Sequence, residues 1–172
     1  MKIFLNAGHG GSDCGAVSKN GLKEKDVCKK ICDILAEILR KNGHFVIVYQ
    51  ELKSYFEITQ QENKSGADLF ISVHCNSFAS QTVHGIETLY YPTSTNGRRL
   101  ADNVQKALVK LTGLHNRGIK ARNDLHVLKR TKSPAILVEC AFISNPSEEI
   151  LLRDKPKLFA DGIAQGIKNY IG

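Results

Sequence analysis

Apolar runs too short for ordinary helices alternate with amphipathic stretches along this chain, and three of those runs lead into a histidine or a glutamate. KIFLN, from Lys2 to Asn6, opens onto a glycine-rich loop that holds His9. LFISV, from Leu69 to Val73, runs into His74, and AILVE, from Ala135 to Glu139, closes on its own carboxylate. Short apolar runs bounded by turn-forming residues read as buried strands. FVIVY (Phe45 to Tyr49) and GIETLYY (Gly85 to Tyr91) read the same way.

Between these runs the spacing turns helical. Val27, Ile31, Ile34, Leu35 and Ile38 predict a long helix that starts near Glu24 and stops at Asn42 and Gly43. The polar segment between the second and third runs reads as another helix, and Leu100, Val104, Ala107, Leu108 and Leu111 mark a further one. The charged segment from His115 to about Ser133 is expected to be a loop with one or two short strands. Near the C-terminus Asn145 fits an N-cap with Pro146 at the first helical position, and Phe159, Ile163, Ile167 and Tyr170 carry a final helix. Such alternation predicts an α/β fold: a three-layer sandwich whose twisted, mostly parallel sheet of about six strands carries helices on both faces. A chain of 172 residues with 42% hydrophobic content suits one domain over residues 1–172.

In open α/β sheets, ligands collect outside the carboxyl ends of the strands. His9, His74 and Glu139 are therefore expected to converge on one sheet edge. Two imidazoles and a carboxylate make a three-point zinc site that leaves a position for water, and a further carboxylate can act as base, so the set points to a metal-dependent hydrolase. Glu24, Asp26, Glu51 and Glu57 are the acidic residues from which the third ligand can be drawn. Glu139 stands apart, because a carboxylate ending an apolar strand is costly unless it meets a cation or solvent. Gly8, Gly10 and Gly11 let the backbone bend beside a metal. Asn6 and Asn76 flank the metal-binding words, while Arg117, Lys120 and Arg122 offer cations for a substrate carboxylate or an oxyanion.

Other classes are disfavoured. The formal charge of +7 predicts attraction to polyanions, but the basic residues are dispersed, Trp is absent and no nucleic-acid motif accompanies them, so no nucleic-acid partner is expected. No stretch approaches the roughly 20 apolar residues of a membrane span. MKIFLNAGHGG reads as a core strand and not a signal peptide, which predicts synthesis in the cytoplasm. Five cysteines, an odd number, do not form a disulfide framework. Cys28 and Cys32 lie beside the apolar face of the first helix, so core packing is the default. Adjacent strand residues face opposite ways, so Cys75 and Cys140 should point away from a cleft that His74 and Glu139 face, which argues against a cysteine nucleophile. The remaining histidines, His44, His84, His115 and His126, read first as structural or exposed.

The words GHGGSDCGA, EKDV, ADLFISVHCNS, HGIETLYY and RGIKARNDLHVLKRTKSPAILVECAFISNPSE resemble the zinc-dependent N-acetylmuramoyl-L-alanine amidases, from the first strand to the last helix. The resemblance selects Glu24 as third ligand beside His9 and His74. It implies one Zn²⁺ per chain, Glu139 as base, and hydrolysis of the amide between glycan and stem peptide in bacterial cell walls. Asn76, Arg117, Lys120 and His126 are then the residues expected to touch substrate. Peptidoglycan, with its anionic wall polymers, becomes the expected partner of a monomeric enzyme acting at the wall in phage release, in mother-cell lysis or as a domain of a longer secreted protein. Alternatives are a zinc peptidase cutting within the stem and a wall-binding module without turnover. The chain departs from the family at Asn6 and Ala7, where an acidic residue and proline are common, and at Ala141, where glycine often follows the glutamate segment. The arginine common ahead of the ADLFIS strand is also missing from EITQQENKSGADL.

Overall fold

The computed structural model describes residues 1–50 and 54–172, so Glu51 lies outside the described residues. Strands β1 (Lys2–Ala7), β2 (Phe45–Tyr49), β3 (Leu69–Asn76), β4 (Ile86–Tyr90), β5 (Asn116–Ala121) and β6 (Ala135–Phe142) form one sheet in the order β2-β1-β3-β6-β4-β5. All neighbours are parallel except β4 and β6, which run antiparallel. Helices α1 (Glu24–Lys41), α2 (Tyr55–Ser65), α3 (Thr95–Thr112), α4 (His126–Arg130), α5 (Pro146–Asp154) and α6 (Pro156–Ile171) complete the described elements.

Strand alternation sorts the side chains into two cores. Ile3, Leu5, Ala7, Ile71, Val73, Ile136 and Val138 face a large apolar layer shared with α1, α3 and α6. Phe4, Phe70, Leu89 and Leu137 face the smaller layer, where Ile58 of α2 and Val127 and Leu128 of α4 cover them. Farther along the strands this second face turns polar at Asn6, Ser72, His74, Glu87 and Glu139. The boundary between apolar cover and polar floor is where the cleft opens.

The three-layer α/β expectation holds, with local differences that have physical causes. β3 and β6 run past His74 and Glu139 because their pairing continues, through an irregularity, to Asn76 and Phe142. The charged segment contains the strand β5 and the short helix α4. Asn145 caps α5 by accepting from the amides of Ser147 and Glu148. A break at Lys155 (φ −128°, ψ 46°) then separates α5 from α6, as the residue before a proline is pushed away from helical geometry by the ring of Pro156.

Glycines fix how closely α6 approaches α3. A Cβ at Gly166 would lie 2.4 Å from the Val104 Cα, and one at Gly162 would lie 2.7 Å from the Leu108 Cδ2. Glycine to alanine in a helix interior ordinarily gains about 1 kcal/mol. At Gly166 the sign should reverse, because the obstructing atom is backbone. Gly166→Ala is expected to lower stability by about 1–3 kcal/mol in urea unfolding; a stabilised variant would show that the helices are free to separate.

Candidate active site

The loop after β1 is pinned to β3 by the Gly8 amide, which donates to the Val73 carbonyl at 2.9 Å. Reciprocal backbone bonds between Gly10 and Asp13 close the turn and hold His9 at φ 61°, a left-handed conformation uncommon for a residue with a Cβ. Two neighbouring glycines provide the space. A Cβ at Gly8 would lie 2.5 Å from the His74 ring, and one at Gly15 would lie 2.5 Å from the His9 ring and 2.6 Å from Glu24 Oε2.

Glu24 starts α1, and its buried carboxylate faces both imidazoles. His9 Nε2 lies 3.1 Å from Oε2, and His74 Nδ1 lies 3.1 Å from Oε1. Backbone amides of Ala16 (2.9 Å) and Cys75 (3.0 Å) donate to the same two oxygens. Burial works against the charge, but the bonds from His74 and His9 prevail and hold this carboxyl well below the ordinary carboxylate range. The bond to Glu24 raises His9 to about 9 against the opposing effect of burial, with Asp13, 2.9 Å from Nδ1, adding to the rise.

Among the described residues, His9, Glu24 and His74 are the group of histidine, cysteine and acidic side chains close enough to share an ion, with ligand atoms within 4.8 Å of one another. Asp26 and Glu57 stay outside it. The donor set fits zinc: contacts of 3.1 Å between would-be ligand atoms approach the about 3.3 Å that tetrahedral ligands have at bond lengths of about 2.0–2.1 Å. Asp13 accepting at His9 Nδ1 leaves Nε2 as the metal-facing atom, the usual arrangement of a carboxylate behind a metal-binding histidine.

Glu139 pairs in register with His74 on one side and with Glu87 on the other. Its Oε2 is buried and has no hydrogen-bond partner among the described residues. Burial pushes this carboxyl from 4.5 up to about 7; His74 opposes the rise, and the charges of Glu24 and Glu87 add to it. Glu139, His74 and His9 line a cavity of about 330 Å³ together with Asn6, Tyr55 and His126.

Sequence reasoning passed over Glu87. Its Oε2 accepts from Arg117 Nε at 2.9 Å and Lys120 Nζ at 2.6 Å, and Oε1 accepts from Asn76 Nδ2 at 3.1 Å. Burial is outweighed by Lys120 and Arg117, which hold this carboxyl below its usual range. The structure therefore places Arg117, Lys120 and Asn76, expected to touch substrate, against this carboxylate and outside the residues that line the cavity. The signal for Glu87 was present: an acidic residue inside the apolar run GIETLYY whose parity matches Leu89 on the site face. Arg122 is occupied by Asp124 at the cavity rim. His126 reaches the cavity and lies 3.3 Å from Thr59 Oγ1, whereas His84 sits against His115 elsewhere.

The cysteines follow the strand argument. Cys28, Cys75 and Cys140 lie in the large core on the opposite face, and all five cysteines are free. Burial pushes the Cys28 and Cys140 thiols up, and at Cys75 a bond with Cys28 acts together with burial. Such thiols stay protonated and do not serve as nucleophiles.

A family match spans residues 3–169: Amidase_3, N-acetylmuramoyl-L-alanine amidase. The chain belongs to this family. Its members are hydrolases and generally depend on zinc. N-acetylmuramoyl-L-alanine amidase LytC of Bacillus subtilis is 35% identical over 170 residues, covering 96% of this chain and 34% of that protein. The probable cell wall amidase LytH of Staphylococcus aureus is 34% identical over 172 residues, covering 98% of this chain and 57% of that protein. The chain thus spans only about a third to somewhat over half of these relatives. An N-acetylmuramoyl-L-alanine amidase structure from Clostridium difficile 630 superposes with a TM-score of 0.93 at 35% identity, covering 99% of this chain and 96% of that one. The CwlD amidase from Clostridioides difficile, solved in complex with the GerS lipoprotein, gives 0.93 at 30% identity and coverage of 99% and 98%.

The environment of Glu139 carries a stability signature. A carboxyl with a raised folded-state value costs nothing below its unfolded value, and its burial becomes progressively destabilising as pH rises from 4.5 through about 7. In metal-free protein Glu139→Gln should remove that penalty. We expect this variant to be more stable than the parent at pH 8 by about 2 kcal/mol, since the shift corresponds to about 3 and a buried carboxamide offsets part of it. Unfolding at pH 8 and pH 4.5 checks this, with the gain vanishing at the lower pH.

Proposed function

We propose that this chain is a zinc-dependent amidase domain that hydrolyses the bond between N-acetylmuramic acid and L-alanine in peptidoglycan. The observation that carries the reading is the convergence of His9, Glu24 and His74 within 4.8 Å, beside a buried carboxylate, Glu139, whose Oε2 has no partner among the described residues. The family match over residues 3–169 supports the choice of bond. Among the described residues no helix is long and apolar enough to cross a membrane.

His9, Glu24 and His74 would hold one zinc ion, which when bound supplies Lewis acidity for a water nucleophile and for the amide carbonyl. The protein's own groups do the proton work. Glu139 takes a proton from the attacking water as the oxygen bonds to the carbonyl carbon. It returns that proton to the amide nitrogen as the carbon–nitrogen bond breaks, so the L-alanine amine leaves neutral beside a muramic carboxylic acid, whose remaining proton then passes to the freed amine and leaves a carboxylate and an ammonium. A proton affinity near neutrality suits a group that must both accept and release. Asn6 and His126 border the cavity that receives the reacting amide, and Asp13 keeps the His9 ring oriented. Cys28, Cys32, Cys75 and Cys140, buried in the large core, take no part.

Mass spectrometry of digested sacculi tests the bond: new L-alanine amino termini with uncut glycan are expected. New reducing sugar ends, or amines mapping inside the stem, would replace this reading. Glu139→Gln should keep its zinc and lose turnover by about 10²-fold or more, whereas Glu24→Gln should lose zinc; metal analysis beside kinetics separates the two.

Zinc must also displace a proton from His9. The His9–Glu24 interaction stabilises the metal-free fold fully below pH 6.5 and is lost as pH rises through about 9. Zinc affinity, measured by chelator competition, should therefore climb by about tenfold per pH unit between pH 7 and 9 and then level off. A flat profile would remove His9 from the ligand set.

A further inference from the structure

A groove of about 550 Å³ lies between α2 and α4, larger than the catalytic cavity and next to it. His126 lines both spaces; the adjacent α2 residues Tyr55 and Phe56 line one each. A chain that leaves the cleft past His126 therefore meets this groove next.

The lining has a definite chemistry. Lys64, Arg130 and Lys132 are exposed along it, and none has a carboxylate partner among the described residues. This contrasts with Arg117, Lys120 and Arg122, which all have one. Of the acidic groups on the neighbouring segments, Glu62 is buried and accepts from Ser133 through Oε1, and Asp124 is paired with Arg122. Asn63 is occupied at both ends of its amide, accepting from the Lys132 amide and donating to the Arg130 carbonyl, which fixes the short segment carrying the two cations against α2. Phe56 is 63% exposed and gives the groove an apolar wall. Three free cations beside an aromatic ring, with no carboxylate in the lining, fit a short acidic peptide with an aliphatic component. A neutral sugar would leave all three charges unused.

We propose that the α2–α4 groove is the subsite for the carboxylate-bearing stem peptide beyond its first residue, held by Lys64, Arg130 and Lys132. The assignment rests on the amidase reading, which fixes what enters the cleft. It reverses the expectation that Arg117 and Lys120 receive the peptide carboxylates: those two cations are neutralised by Glu87, and the free ones lie on the other side of His126.

The test compares the parent with the triple variant Lys64→Gln, Arg130→Gln, Lys132→Gln, and with a control of equal charge loss at remote exposed positions, Lys41→Gln, Lys110→Gln, Lys168→Gln. Three soluble substrates are used: an N-acetylmuramoyl tetrapeptide, the same compound with its peptide carboxylates amidated, and N-acetylmuramoyl-L-alanine amide. The groove variant should lose about tenfold in kcat/KM on the tetrapeptide, mainly through KM, the scale of three exposed ion pairs lost together. It should lose little on the amidated compound and nothing on the minimal one, and the control should match the parent throughout. Equal losses on all three substrates, an equal loss in the control, or no loss on the tetrapeptide would overturn the subsite. Calorimetric binding of the free tetrapeptide to the same three proteins reads the groove without turnover. If the parent cleaves none of the substrates the amidase reading fails, while the binding difference still decides whether the groove takes the peptide.

Discussion

Four donors meet on one buried carboxylate. Glu24 draws together the His9 loop, the first turn of α1 and the end of β3 through the imidazoles of His9 and His74 and the amides of Ala16 and Cys75. Burying an ionised carboxyl is expensive, and this set of donors offsets that cost. The helix terminus beneath it contributes further, since partial positive charge accumulates at the amino end of a helix. That carboxylate gives the His74 ring its side-chain partner and holds the His9 ring from the side opposite Asp13.

The remaining acidic groups are differentiated by what surrounds them. Glu87 receives Asn76, Arg117 and Lys120, and stays ionised. Glu139, its register partner, has an oxygen with no partner among the described residues and a raised proton affinity. Carboxylates whose environments push their proton affinities apart take different chemical roles. One secures the fold and spreads negative charge across the row, and the other remains free to exchange a proton.

Much of this was legible in the sequence. The strands declared themselves because runs such as FVIVY and AILVE leave no helical face. The convergence of His9 and His74 followed from the rule that parallel strands deliver their carboxyl ends to one edge. Cys75 and Cys140 could be set aside by parity alone. What stayed hidden was pairing between distant segments. Nothing local says that β4 reverses direction beside β6, and only that reversal sets Glu87 against Glu139 and draws Arg117 and Lys120 to it. Arg117 and Lys120 read as free cations for the same reason: a sequence shows charge but not neutralisation. The short helix α4 was obscured by its brevity and its charge, and the groove it forms with α2 was invisible until both were placed.

The reversal at β4 also divides the sheet into two halves of different standing. The parallel half, β2-β1-β3-β6, carries His9, His74 and Glu139, so a change in its crossovers reaches the residues of the site directly. The β4–β5 half ends at the sheet edge and meets the polar floor of the cleft at Glu87, and the segment that leaves β5 brings Asp124, Leu125 and His126 into the cavity lining. The turn that enters β5 can be lengthened without touching the other half, whereas the segment that leaves it carries His126 to the cavity before it joins β6. Evolution can therefore treat only the entering turn as an exchangeable margin, while the departing segment stays tied to the geometry of the cleft.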